Sequence, residues 1–199
     1  MKNMYAFDLD GTVTKVETLP LLAKELDLED EMEILTGLTL EGKIPFEKSF
    51  RLRYLILKNV SPKKIVEIMS TVELDEDIAN FIHENKESCA IVTGNLDCWI
   101  APIVEKLGCK SYSSTSRIDA DGNLLLEKIL HKSSAIFDMK DSADKVIAVG
   151  ESFNDIPMFE EADISIAYGG VHKPVNTAIS VSDYVVFDGG ALCRLLKML

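Results

Sequence analysis

Positive charge is scarce in this chain: 21 Lys and Arg stand against 33 Asp and Glu, for a net charge of −12. Nucleic acids and anionic membrane surfaces are held through basic patches, so neither is an expected partner. A small anionic substrate stays compatible, because a local cation or a bound metal reverses the field inside a cleft. Cysteine is sparse as well. Cys89, Cys98, Cys109 and Cys193 lie far apart with no CxxC pair, which excludes a zinc knuckle and a dithiol redox motif. They are expected to be reduced and mostly buried, with Cys98 beside Trp99 in the core. No apolar run approaches the about 18 residues of a membrane span. No charged-then-apolar leader precedes the first strand, so a cytoplasmic, unprocessed protein is expected. Repeats and low-complexity tracts are missing too.

The chain's 199 residues, 47% of them apolar, are enough for one domain with a sizeable core, or one domain plus a modest insertion. Strand-like runs recur at 4–9, 89–93, 110–113, 145–149, 163–167 and 184–187, and helical patterns separate most of the later ones. This alternation predicts an α/β fold, a doubly wound, mainly parallel, Rossmann-like sheet. Residues 14–85 break the pattern by reading as helix throughout. Pro20 and Pro45 suit first turns, Ser61-Pro62 reads as an N-cap with its proline, and Gly37 and Gly42 mark loops. Phe46, Phe50, Tyr54 and Leu57 form one buried helical stripe. A small α-helical cap is therefore expected over 14–76, inserted in a catalytic core of 1–13 and 77–199. Asp121-Gly122 reads as a hairpin turn, and a last helix starts near 190.

The chemistry starts at Phe7-Asp8-Leu9-Asp10-Gly11-Thr12. Two acids at i, i+2 share one side of an extended chain, and Gly11-Thr12 end the strand. They would project from a strand's carboxyl end, where open α/β sheets place their ligands. One acid can act as nucleophile and the other as proton donor, with a hard divalent cation alongside. Ile91-Val92-Thr93-Gly94-Asn95 is a second strand end, whose hydroxyl and backbone N–H groups can hold a phosphate oxygen. Lys132 enters a helix after it and can neutralise a phosphoryl oxygen and the nucleophile. Val146 to Asp155 is a third strand running into a loop with Glu151 and Asp155, ahead of Pro157 at a helix start. A cation held by Asp8, the Asp10 carbonyl and an acid of this loop would have mostly oxygen ligands, which suits Mg²⁺.

The ordered set DxDGT, (S/T)G, Lys and GxxxND resembles the haloacid dehalogenase superfamily of phosphohydrolases across nearly the whole chain. The helical insert, and Gly150-Glu151-Ser152-Phe153-Asn154-Asp155-Ile156-Pro157-Met158-Phe159, are similar to the subfamily containing phosphoserine phosphatases. The resemblance implies Asp8 as a nucleophile that becomes phospho-aspartate, and Asp10 as the acid, then base. It implies Thr93 and Gly94 on the phosphoryl oxygens, Lys132 as the charge partner, and Glu151 as a metal ligand. Asn154 and Asp155 would organise substrate, lysine or metal. Glu17 and Arg53 match the residues that grip a substrate's amino and carboxylate groups. The activity so implied is Mg²⁺-dependent hydrolysis of a small phosphorylated metabolite, with L-phosphoserine as the leading substrate, by a monomer or homodimer.

Three positions depart from that pattern. Glu151 stands where the subfamily has Asp, Ser152 replaces a glycine, and Asn95 replaces a glycine after the hydroxyl motif. The last two add bulk near the phosphate. Phosphoryl transfer to an alcohol acceptor fits the same residues and is separated by product analysis. A weakened ligand-binding or regulatory protein rests on Glu151 alone.

Overall fold

The opening apolar run forms β1 (Asn3–Phe7) in the computed structural model, which describes residues 2–199. Side chains of a strand alternate between faces, and in a parallel sheet both faces are covered. Met4 and Ala6 accordingly enter one core layer and Phe7 the other. A tight loop, Leu9–Val13, follows, with Gly11 at φ +78°. Helices α1 (Thr18–Ala23), α2 (Glu29–Leu40), α3 (Phe46–Leu57) and α4 (Pro62–Ser70) come next. The Ser61 hydroxyl accepts from Lys64 N at 3.3 Å, capping α4 ahead of Pro62. Phe50, Tyr54 and Leu57 of α3 are buried.

The remaining elements alternate. They are α5 (Glu76–Glu84), β2 (Cys89–Leu96), α6 (Asp97–Leu107), β3 (Lys110–Ile118), β4 (Leu124–Lys128), α7 (Lys132–Lys140) and β5 (Lys145–Gly150), then α8 (Ile156–Glu161), β6 (Ile164–Tyr168), α9 (Asn176–Val181), β7 (Tyr184–Val186) and α10 (Gly189–Met198). The strands form one sheet in the order β4-β3-β2-β1-β5-β6-β7. Every pairing is parallel except the β3–β4 hairpin. The fold is therefore the doubly wound α/β class.

β1 sits at the centre, and the connections turn outward on either side of the β1–β5 pair. That switch point opens a crevice at the strands' carboxyl ends. On one face Ala6, Ala90 and Ala148 pack against Ala135, Ile136 and Met139 of α7. On the other, Phe7, Ile91, Ile147 and Val149 join the side chains of α5, α6 and α10 and of the inserted helices.

The two chain passages that lead into and out of the inserted helices run side by side. Thr14 and Leu74 form an antiparallel bridge, Lys15 N donates to Glu73 O, and Asp75 N donates to Val13 O, each at 2.9 Å. Among the described residues, no helix is long and apolar enough to cross a membrane.

Several sequence expectations are corrected. β1 ends at Phe7 rather than 9, so Asp8 and Asp10 sit in the loop, both with extended φ and ψ. β2 runs on to Leu96 through an irregularity in its pairing with β3 between Val92 and Leu96. Gly37 lies inside α2, and the loop begins only after Leu40. Pro45 precedes the first turn of α3 rather than occupying it. Cys98 is exposed, Cys89 is buried, and Cys109 and Cys193 are intermediate. Successive helical residues are turned about 100° apart, so the buried Trp99 leaves Cys98 facing out.

Candidate active site

β1 carries Asp8 to the crevice, β5 carries Glu151 beside it, and the turn before α8 presents Asp155. These three buried carboxylates each offer an oxygen, all lying within 4.8 Å of one another. Lys132, first residue of α7, reaches between them. Its Nζ is 2.5 Å from Asp8 Oδ1 and 2.6 Å from Asp155 Oδ1, and its side chain is 2% exposed. The other oxygen of Asp155 accepts from Glu151 N, Ser152 N and the Ser152 hydroxyl at 2.8–3.0 Å. Glu151 accepts from the Thr12 hydroxyl through Oε2, while its buried Oε1 has no hydrogen-bond partner.

Three anionic groups thus share one ammonium. Burial, then the charge of Asp155, pushes the Asp8 carboxyl well above the ordinary carboxylate range. Burial, then Asp8 and Asp155, does the same to Glu151. Burial acts to lower the Lys132 ammonium, but Asp155 and Asp8 more than reverse this and hold it above its usual value. Such a set is one positive charge or more short of balance, and an unpartnered carboxylate oxygen faces the deficit. The residues therefore fit a divalent cation with oxygen ligands.

Asp10 stands apart from this trio. Its Oδ1 accepts from Thr18 N at 3.0 Å and from the Thr18 hydroxyl, and its Oδ2 accepts from Asn95 Nδ2 at 3.2 Å. The sequence grouped the Asp10 carbonyl with the metal ligands. The side chain is engaged elsewhere, at the base of α1 and by Asn95.

A cavity opens beside these groups, lined by Asp8, Asp10, Lys132, Thr93, Gly94 and Asn154, and also by Glu17 and Arg53. Arg53 is 5% exposed. Its guanidinium lies 5.9 Å from the Phe46 ring centroid, Nη1 donates to the Thr36 hydroxyl at 3.4 Å, and the buried Nε has no partner. Burial lowers its pKa. A charged group so placed is poorly satisfied until an anion enters. Phe46 also reaches from α3 to Gly94: a Cβ built there would sit 2.0 Å from the ring.

The Glu17 side chain is 16% exposed, and its desolvation raises its pKa against the opposing effect of His172. His172 Nε2 lies 3.2 Å from Glu17 Oε1, within ion-pair range but off the line of a well-directed hydrogen bond. Glu17 in turn holds the imidazole above its usual pKa. Gly11 makes room for both groups, since a Cβ there would meet Glu151, His172 and Glu17 at 3.0–3.1 Å.

A family model described as haloacid dehalogenase-like hydrolase matches residues 5–160. The chain belongs to the haloacid dehalogenase-like hydrolases. Among relatives of this hydrolase, a phosphoserine phosphatase of Methanocaldococcus jannaschii is 31% identical over 183 residues, covering 84% of this chain and 85% of the relative. A solved phospho-aspartyl intermediate analogue of phosphoserine phosphatase superposes with a TM-score of 0.80 at 26% identity, covering 100% of this chain and 99% of that one. A substrate-bound phosphoserine phosphatase complex gives a TM-score of 0.80 at 25% identity, covering 100% and 99%.

In this hydrolase, then, every residue singled out from the sequence reaches the cavity or the buried acids beneath it. The sequence missed Thr12, Thr18 and His172, and it read Ser152 and Asn95 as bulk where both are hydrogen-bond donors to acids. Thr12 lies inside the DxDGT motif and could have been read from it. His172 sits in a loop between β6 and α9 with no periodicity or spacing to mark it.

Proposed function

We propose that this chain is a Mg²⁺-dependent phosphomonoesterase acting on L-phosphoserine through a phospho-Asp8 intermediate. The observation that carries the reading is the Asp8–Lys132–Asp155 ion cluster, opening on a cavity that Arg53 and Glu17 also line. An Asp8 carboxylate oxygen attacks phosphorus as the serine oxygen leaves, and that alkoxide takes a proton from Asp10. Asp10 then removes a proton from water, whose oxygen attacks the phosphoryl group and releases phosphate and free Asp8. Lys132 opposes the effect of burial on Asp8, favouring its ionised form, and offsets charge on the phosphoryl oxygens, with Thr93 and the Gly94 N–H binding those oxygens. Asp8, Glu151 and Asp155, with the Asp10 carbonyl, would hold Mg²⁺, which supplies positive charge against the transferring group.

Arg53 suits a bidentate contact with the substrate carboxylate, Glu17 suits its ammonium, and Asn154 lines the same space. Residues 14–76 act as a cap over this site, flexing where Val13–Lys15 and Glu73–Asp75 pair, which excludes water during transfer.

A kinetic screen across phosphorylated amino acids and sugar phosphates, with Mg²⁺, tests the reading. Phosphoserine is expected to have the highest kcat/KM. Asp8→Asn is expected to abolish turnover, and Arg53→Ala to lower kcat/KM for phosphoserine about 10- to 100-fold through KM. A preferred sugar phosphate, or phosphoserine kinetics unchanged in Arg53→Ala, overturns the substrate assignment.

A further inference from the structure

Asn95 sits 3% exposed in β2, on the stretch where pairing with β3 is irregular. An irregularity of this kind re-aims side chains relative to a regular strand. Here it turns the amide away from the sheet and toward the acid–base carboxylate. Both amide hydrogens of the side chain are used. Nδ2 donates to Asp10 Oδ2 at 3.2 Å and to the Thr18 hydroxyl at 2.9 Å. Oδ1 accepts from Leu96 N at 2.8 Å, and Asn95 N donates to the Thr93 hydroxyl at 3.1 Å. The amide is fixed at both ends, so its direction is set by the backbone of β2 and the start of α1.

We propose that Asn95 is a positioning residue for Asp10 and that it acts chiefly on protonation of the leaving alkoxide. The two oxygens of Asp10 are held from different sides, Oδ1 by Thr18 and Oδ2 by Asn95. A carboxylate oxygen has two acceptor positions. The amide occupies one on Oδ2 and leaves the other to the travelling proton. Without Asn95, Asp10 is anchored through one oxygen and can rotate about its Cβ–Cγ bond. Proton transfer is sensitive to such geometry, because donor and acceptor must approach within hydrogen-bond reach. The Thr18 hydroxyl would lose the amide at the same moment, which loosens the second anchor too.

The inference rests on the assignment of Asp10 as general acid, and leaving-group dependence separates the two claims. kcat/KM reports steps up to phosphorylation of Asp8. Serine leaves as a strongly basic alkoxide that needs the proton, whereas nitrophenolate leaves without one. In Asn95→Ala, kcat/KM for phosphoserine is expected to fall about tenfold (about 1.4 kcal/mol), while that for p-nitrophenyl phosphate changes less than about twofold. Asn95→Asp places a like charge beside Asp10, and its loss on the alkyl ester is expected to exceed that of Asn95→Ala. Equal losses on both esters, or no loss on either, overturn the positioning role. Asn95→Ser keeps a polar side chain of smaller size and carries the same comparison if the alanine variant does not fold. Asp10→Asn is the control for the underlying reading. If it leaves phosphoserine turnover intact, the acid–base assignment fails, whereas an Asp10→Asn loss with unselective Asn95 variants sinks only the positioning role.

Discussion

Replacing Lys132 by Met removes one charge from the centre of the molecule and keeps most of the side-chain volume. Lys132 is the hydrogen-bond donor to the Asp8 carboxylate and one of several donors to Asp155. Asp155 therefore stays partnered after the change, and the cost falls on Asp8, 6% exposed and left with two like charges near it. Breaking a buried ion pair costs about 3–5 kcal/mol, and in a chain of this size each kcal/mol lowers Tm by about 2–4 °C. A drop of about 6–20 °C is expected at pH 8 without metal. Asp8 can escape by taking up a proton, and each pH unit is worth about 1.4 kcal/mol per group. The destabilisation at pH 5 is then expected to be under half of that at pH 8. Urea and thermal unfolding followed by circular dichroism, with a chelator present, measure both values. A loss under about 1 kcal/mol at pH 8, or one equal at the two pH values, refutes the argument that a single ammonium balances these acids.

Metal linkage follows from the same charge count. Asp8 and Glu151 have folded pKa values raised first by burial, then by Asp155 for Asp8 and by Asp8 and Asp155 for Glu151, so the metal-free fold holds protons that the unfolded chain releases. Their contribution to stability is therefore full below the ordinary values of 3.8 and 4.5 and is lost as pH rises through the raised ones. Mg²⁺ competes with those protons, so at one fixed concentration its stabilising effect is expected to be smaller at pH 5 than at pH 8. Thermal shifts of equal size at both pH values would contradict this. Gly94→Ala drives a Cβ into the Phe46 ring and is expected to cost about 1–3 kcal/mol. Phe46→Ala should relieve much of that in the double variant, and strict additivity in unfolding measurements would show that the two do not meet.

The sequence was most informative where residue type and spacing act together. Apolar runs separated by helical patterns gave the doubly wound sheet, and acids at strand ends gave the edge on which the cavity opens. Hydrogen-bond direction was not legible. Asn95 reads as added bulk because nothing in Thr93-Gly94-Asn95-Leu96 announces that β2 continues irregularly and turns the amide toward Asp10. Cys98 faces out because neighbours in a helix are turned about 100° apart, so adjacency to the buried Trp99 does not carry it into the core. Gly37 was read as a break because one glycine costs a helix only about 1 kcal/mol, which the packing of α2 overrides. His172 reaches Glu17 through a loop whose path depends on tertiary contacts alone.

The central place of β1 also sets the order in which the molecule can be assembled. The strand bearing Asp8 precedes in the chain both the lysine that balances Asp8 and one of its two sheet neighbours, β5. The Asp8–Lys132 contact alone spans 124 residues. During synthesis Asp8 has no Lys132 to pair with until α7 has been made, while the inserted helices, rich in local contacts, can already fold. Completion of the buried acid cluster therefore requires the chain through Asp155.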